Sequence, residues 1–327
     1  MKVLVTGAAG FIGGNLVETL KSKGIEVIGV DNFSNYYSAS MKRAHLEASG
    51  VVSCIQELDI CNDGALQELF RDFRPTHVVH LAAQGGVRAS KTDPVPYLQT
   101  NQTGFLNVLN AAERIGVSKF LYASSSSVYG EGLQAPFKES ETLSAPKSLY
   151  ALSKLSNELI AKHLPLRDTQ RIGFRFFTVY GPWGRPDMAV FRLLASSRLH
   201  KTFKLTASTE IKRDFTFVDD VSEVLQSTLG TSFSLSNSEI FNIARSSPYS
   251  LAQLFDVLKE LHIPTIIENG IADPLDVGLT HGSVEKLKAN SLPIPKTSLL
   301  EGISRTWSWI NKIDEKELRV WYEFNGS

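Results

Sequence analysis

Tyr150 and Lys154 stand four residues apart in Leu149-Tyr150-Ala151-Leu152-Ser153-Lys154, and a run of four serines, Ser124 to Ser127, precedes them. Residues four apart on a helix share a face, so both side chains can point at one ligand. A phenol ionises near pH 10, and a neighbouring ammonium favours its phenolate. Tyr150 is therefore a candidate general base toward an alcohol hydroxyl. Ser125, 25 residues before Tyr150, is the candidate proton bridge between phenol and substrate. A serine can relay a proton but cannot act as a carboxyl acid or base. The set points to oxidation and reduction at an alcohol carbon and speaks against elimination. The bland readings are a surface helix pair and a serine turn after a strand; the sequence upstream weighs against both.

Such residues need a scaffold that brings a redox cofactor to them. Lys2–Thr6 reads as a short buried strand, Gly7-Ala8-Ala9-Gly10-Phe11-Ile12-Gly13 as a turn, and the stretch to about Lys23 as an amphipathic helix. Glycines there allow a tight turn and close approach to a pyrophosphate, which the free N–H groups of the helix start can bind. A second strand, Glu26–Val30, ends at Asp31, whose carboxylate can accept both hydroxyls of an adenosine ribose. It would also repel a 2′-phosphate, which favours NAD over NADP. Asn32, Asp59 and Ile60 are expected near the adenosine, with Asp59 at the adenine edge. Leu81-Ala82-Ala83 and Asn101 complete the expected cofactor wall. Lys154 is expected to hold the nicotinamide ribose, whose positive ring would further favour a Tyr150 phenolate.

Short apolar strands recur at Val51–Ile55, His77–Leu81, Phe120–Ala123 and Ile172–Phe177, with helical patterns at Gly64–Phe73, Tyr97–Gly116 and Tyr150–His163 between them. This alternation predicts an α/β fold: a doubly wound parallel sheet of the Rossmann type, covered on both faces. After Phe177 the rhythm fails at Gly181-Pro182-Trp183-Gly184-Arg185-Pro186. Helices are expected at Leu251–Leu261, Val284–Ala289 and Leu299–Asn311, with little strand between them. These form a smaller, mainly helical C-terminal substrate domain. The predicted division is 1–177 with about 214–244 for the cofactor, and 178–213 with 245–327 for the substrate. The active cleft is expected between them, beyond the carboxyl ends of the strands.

The bulk numbers exclude several classes. Among 327 residues, Lys plus Arg and Asp plus Glu each number 34, so no strong attraction to nucleic acid or an anionic membrane is expected. Two cysteines, Cys54 and Cys61, make no disulfide framework and suit a reducing, cytoplasmic setting. The first strand at Lys2 leaves no room for a signal peptide, and no apolar run reaches membrane-spanning length. No metal site is expected.

Taken together, these residues resemble the extended short-chain dehydrogenase/reductase superfamily, in particular its sugar-nucleotide epimerases and dehydratases. The resemblance spans nearly the whole chain. The string from Arg175 to Ala189, Gln84-Gly85-Gly86-Val87-Arg88, and the string from Arg213 to Asp220 are similar to UDP-glucuronate 4-epimerases. The resemblance implies a UDP-sugar substrate and a redox-neutral cycle. Tyr150, through Ser125, would take the proton of the 4-hydroxyl while C4 gives hydride to tightly bound NAD; the 4-keto sugar would turn over and be reduced on its other face. Related dehydratases and decarboxylases carry an acid before Val-Tyr-Gly, where this chain has Ser127. Ser126, Ser127 and Thr178, with Arg88, are the donors implied for the sugar carboxylate. Arg185 and Arg213 are implied for the diphosphate, because a guanidinium fork fits phosphate oxygens, and Phe203–Leu205 for the uracil. Asp276 belongs to the implied substrate set. Asp273 and Leu275 depart from the family pattern and would weaken phosphate binding, while His281 reads as a packing residue. Family dimers pack the helices near Tyr97–Gly116 and Tyr150–His163 into a four-helix bundle, which implies a homodimer. Rival readings are an epimerase of a neutral or N-acetylated UDP-hexose, a UDP-glucuronate decarboxylase, and a dinucleotide sensor without turnover.

Overall fold

The computed structural model describes residues 1–87, 89–143, 146–165, 169–233, 238–270 and 277–324. In chain order, the first half holds β1 (Lys2–Thr6), α1 (Phe11–Ser22), β2 (Glu26–Asp31), α2 (Ala39–Ala48), β3 (Ile55–Glu57), α3 (Asp63–Phe73) and β4 (His77–His80). Then come α4 (Ala89–Thr92), α5 (Val95–Leu98), a π-helical turn (Gln99–Gly104), α6 (Phe105–Ile115), β5 (Lys119–Ser125), α7 (Leu149–His163) and β6 (Gln170–Phe176). The second half holds β7 (Thr178–Tyr180), α8 (Ala189–Arg198), β8 (Thr202–Leu205), β9 (Lys212–Arg213), β10 (Phe215–Phe217), α9 (Val218–Gly230) and β11 (Ser238–Ile243). It ends with β12 (Tyr249–Ser250), α10 (Leu251–Glu260), β13 (Ile266–Asn269), α11 (Glu285–Ala289), α12 (Leu299–Ile310) and α13 (Glu315–Glu323).

Seven of these strands form one parallel sheet in the order β11-β6-β5-β4-β1-β2-β3. Burial on both faces explains the apolar runs: Val3 and Val5 join the core on one face, while Leu4, between them, joins the core on the other. The order reverses between β1 and β4, and an open α/β sheet presents its binding crevice at such a point. A further core gathers Leu194, Phe217, Leu254, Ile303 and Trp321, and Met41 of α2 reaches it from the nucleotide-side half.

Two expectations are corrected. Val51–Ile55 is not a strand: the Val51 amide closes the end of α2 on the Leu46 carbonyl, a 3-10 turn follows, and pairing with β2 begins only at Ile55. Tyr97–Gly116 is not one continuous helix but is interrupted by the π turn. There Gly104 packs so closely on Ile60 that a Cβ would stand 2.5 Å from its Cδ1. The C-terminal part is mainly helical, with α10 to α13 and the short strands β12 and β13, which pair with β9 and β8, while β11 completes the large sheet.

Candidate active site

The glycine-rich turn is built by contact, not only by backbone freedom. Gly7 has φ +69°, and a Cβ on it would stand 2.6 Å from the Ala82 amide nitrogen. A Cβ on Gly13 would stand 2.0 Å from the Gly7 carbonyl oxygen. The turn is thereby pressed against β4's exit and feeds α1, whose N-cap Gly10 has no side-chain cap and whose first turn has no acid. Its N–H groups face a cleft of about 300 Å³ lined by Gly7, Gly10, Phe11, Ile12 and Gly13. This is a cradle for a pyrophosphate.

Asp31 ends β2 at the same cleft, 8% exposed. One carboxylate oxygen accepts from the Ala9 amide at 3.0 Å and the other from the Phe33 amide at 2.8 Å. Lone pairs remain on both oxygens for ribose hydroxyls. Lys42 stands 3.8 Å away and forms an ion pair with it. Asn32 lines the cleft and donates to Asp59 at 3.0 Å. Asp59 is exposed and also accepts from the Cys61 amide at 2.8 Å, while Leu58 and Ile60 form the wall. Leu81, Ala82 and Ala83 line the cleft as expected. Asn101 stands behind it. It bonds the Gln84 amide at 2.8 Å, the Gln84 carbonyl at 3.1 Å and Ser153 at 2.9 Å, and so braces the loop after β4. The residues present fit a dinucleotide.

At the far end of the cleft are Ser124, Ser125, Tyr150 and Lys154. Ser148 caps α7 by accepting from the Ala151 amide at 3.1 Å, which sets Tyr150 on the first turn and Lys154 one turn later. Lys154 donates to the Ala123 carbonyl at 3.0 Å, with its nitrogen 6.0 Å from the Tyr150 ring centre. Burial pushes the lysine down to about 8. Burial also pushes the Tyr150 phenol up, and the Arg185 charge and a hydrogen bond from Ser125 oppose that rise. The charge that opposes the rise is Arg185, while Lys154 keeps two further donors free beyond its bond to the Ala123 carbonyl.

Ser125 borders this cleft and also a second cavity of about 250 Å³. Ser126, Ser127 and Arg213 line the second cavity. The Ser127 hydroxyl donates to the Ser125 oxygen at 2.9 Å, and the Ser127 amide to the same oxygen at 3.2 Å. Arg213 donates to the Val277 carbonyl at 2.6 Å. Arg185 lines the first cleft and makes a two-point pair with Asp187, 2.9 Å on each arm; Tyr36 donates to the same carboxylate at 3.0 Å. Thr178 lines a small depression with Tyr180 and Phe215. Phe203–Leu205 pairs with β13 and lines none of these cavities. Arg88, Asp273, Leu275 and Asp276 lie outside the described residues. His281 packs, its carbonyl accepting from Phe137 at 2.7 Å. Among the described residues no cluster could hold a metal.

Sequence reasoning missed Tyr36, Lys42 and Lys147, all of which line a cavity. Each comes from an irregular stretch or a helix without a motif, so only position in space singles it out. The arrangement joins a dinucleotide cradle to a phenol, a serine relay and a second polar cavity, which suits hydride and proton exchange at a carbinol carbon.

The sequence model of the NAD dependent epimerase/dehydratase family matches residues 3–244. "UDP-glucuronate 4-epimerase 4" of Arabidopsis thaliana is 37% identical, across 94% of this chain and 74% of its own length. The solved structure of UDP-glucuronic acid 4-epimerase from Bacillus cereus, in complex with UDP-glucuronic acid and NAD, superposes with a TM-score of 0.87. It is 31% identical, and the match covers 95% of this chain and 99% of that one. UDP-glucose 4-epimerase from Thermotoga maritima, solved with UDP-glucose, gives a TM-score of 0.84 at 30% identity, over 95% of this chain and 99% of that one.

Proposed function

The chain belongs to the NAD dependent epimerase/dehydratase family, and from that premise we propose that it interconverts UDP-glucuronate and UDP-galacturonate by inverting C4. The observation that carries the chemistry is Ser125, which borders both the cofactor cleft and the second cavity beside Tyr150. A carbinol carbon at that border meets the relay from one side and the dinucleotide from the other. Bound NAD supplies the acceptor and later the donor of the C4 hydride, so the cycle has no net redox change. Tyr150 takes the 4-hydroxyl proton through Ser125 and returns it after the 4-keto sugar has turned over. Arg185 and the Ser125 hydroxyl favour the phenolate that the first step needs. Lys154 holds the nicotinamide ribose. Asp31 takes the adenosine ribose, and the start of α1 takes the pyrophosphate.

Residues 1–177 with 214–244 serve the cofactor, and 178–213 with 245–327 serve the sugar nucleotide. Ser127 in place of an acid removes the group a dehydratase or decarboxylase needs. The similarity to a UDP-glucose epimerase favours, as the second reading, a neutral UDP-hexose substrate. Exposed Val95 and Leu98 on α5 and Leu152 and Leu159 on α7 support a homodimer through a four-helix bundle. The absence of a helix long and apolar enough to cross a membrane, among the described residues, fits a cytoplasmic enzyme. Purified protein incubated with UDP-glucuronate and followed by NMR should yield UDP-galacturonate. UDP-xylose as the sole product would sink the epimerase reading, and activity confined to UDP-glucose would move the substrate.

A further inference from the structure

Lys147 stands in the wall of the second cavity with Ser126, Ser127 and Arg213, just before the α7 cap residue Ser148. No carboxylate lines that cavity among the described residues, so its charge comes from two cations. The two are held differently. Arg213 donates to the main-chain carbonyls of Lys212 and Val277, which anchor it in the wall. Lys147 is 40% exposed and pairs with Glu131, itself 53% exposed and outside the cavity lining. An exposed ion pair contributes little, so exchanging its partner costs little. A four-carbon stem lets the ammonium swing while its three donors stay usable.

Resting on the reading of this site as one for a UDP-sugar, we infer that Lys147 leaves Glu131 for the carboxylate of an acidic sugar and so selects a uronate over a neutral hexose. Ser126 and Ser127 supply neutral hydroxyl donors to the same region, but a hydroxyl can also serve a sugar alcohol. A cation adds a direct charge–charge attraction to the acid that a neutral hexose cannot draw on. Thr178, implied for this hold by resemblance, lines a different depression, which leaves the role open to a residue of the second cavity.

The test is calorimetric binding of UDP-glucuronate and UDP-glucose to the NAD-loaded protein, for wild type, Lys147→Met and Lys147→Arg. The two ligands share the nucleotide and diphosphate and differ at the sugar carboxylate. The expected result is a preference of wild type for the acid. That preference should fall about tenfold or more in Lys147→Met, the scale of one charge-assisted hydrogen bond, and return in Lys147→Arg. UDP-glucose binding by the Met variant also reports that the variant is folded. Equal weakening toward both ligands would place Lys147 on the diphosphate and overturn the inference, as would a wild type without preference or a Met variant that keeps it. Epimerisation is assayed separately. A wild type that binds the acid preferentially but forms no UDP-galacturonate defeats the functional reading, while the binding ratio still decides Lys147.

Discussion

At the residue scale, the phenol must ionise in a place that disfavours charge. Burial raises Tyr150, and the hydrogen bond from Ser125 is one of two influences that lower it. Ser125→Ala should therefore do two things. It should cut kcat/KM by about 100-fold or more, the usual weight of a positioned proton relay, and it should move the rising limb of the pH profile to higher pH. An unmoved limb would take Ser125 out of the phenolate's environment. Tyr150→Phe should abolish product formation while NAD still co-purifies, read by releasing and quantifying the nucleotide.

Lys154 tests the opposite balance. Its ordinary value of 10.5 falls to about 8 on burial, so between those values the folded chain binds fewer protons than the unfolded one. The penalty is present in full below pH 8 and is relieved as pH rises toward 10.5. In the cofactor-free protein, Lys154→Met should therefore be inactive yet more stable at pH 7. The gain should be on the order of 1–3 kcal/mol, less whatever the Ala123 carbonyl loses, and should shrink above pH 8. Urea titrations at two pH values would check it.

At the scale of elements, α7 is fixed to the sheet by charge as well as by packing. Glu158 lies one turn beyond Lys154 and accepts from Arg175 of β6 at 2.9 and 2.7 Å, while Ser124 of β5 donates to it. Both charged side chains are buried. The pair thus ties helix, β5 and β6 together directly behind the catalytic groups. Glu158→Ala would leave the guanidinium buried without its partner and should cost about 3–5 kcal/mol, seen as a lower urea midpoint with an unchanged slope. The π turn between α5 and α6 works in a similar way, since Asn101 within it braces the Gln84 backbone beside the cofactor cleft. The periodicity of Tyr97–Gly116 could not reveal that turn. A π turn keeps the apolar spacing of a helix almost intact, and the close packing of Gly104 on Ile60 joins segments far apart in the chain.

At the scale of the whole molecule, four exposed apolar residues belong to one helical region. Leu152 and Leu159 share α7, and α7 packs on the neighbouring helical segment through Gln102, which donates to the Ser153 carbonyl at 2.9 Å and to Asn157 at 3.2 Å. Val95 and Leu98 add to the same helical region. If this face is the dimer contact, Leu152→Glu with Leu159→Glu should give a folded monomer. Light scattering coupled to size exclusion would show the mass halve, and a monomeric wild type would refute the contact.

The sequence by itself determined the parallel α/β fold, the glycine turn, Asp31 and the Tyr150–Lys154 pair. Each depends on local spacing, which the chain writes out directly: apolar runs set strands, glycines set a turn that no Cβ can enter, and four residues set one helix face. What only the tertiary structure decided is who meets whom across distant segments. Arg185 is the charge that eases Tyr150's ionisation; Asp59 and Asn101 hydrogen-bond protein partners; Thr178 lines a small depression with Tyr180 and Phe215; and Lys147 shares a wall with Ser126 and Ser127. Such meetings follow from how loops return over the sheet's edge, and no periodicity within a segment encodes the distance between two side chains that the chain brings together only after it has folded.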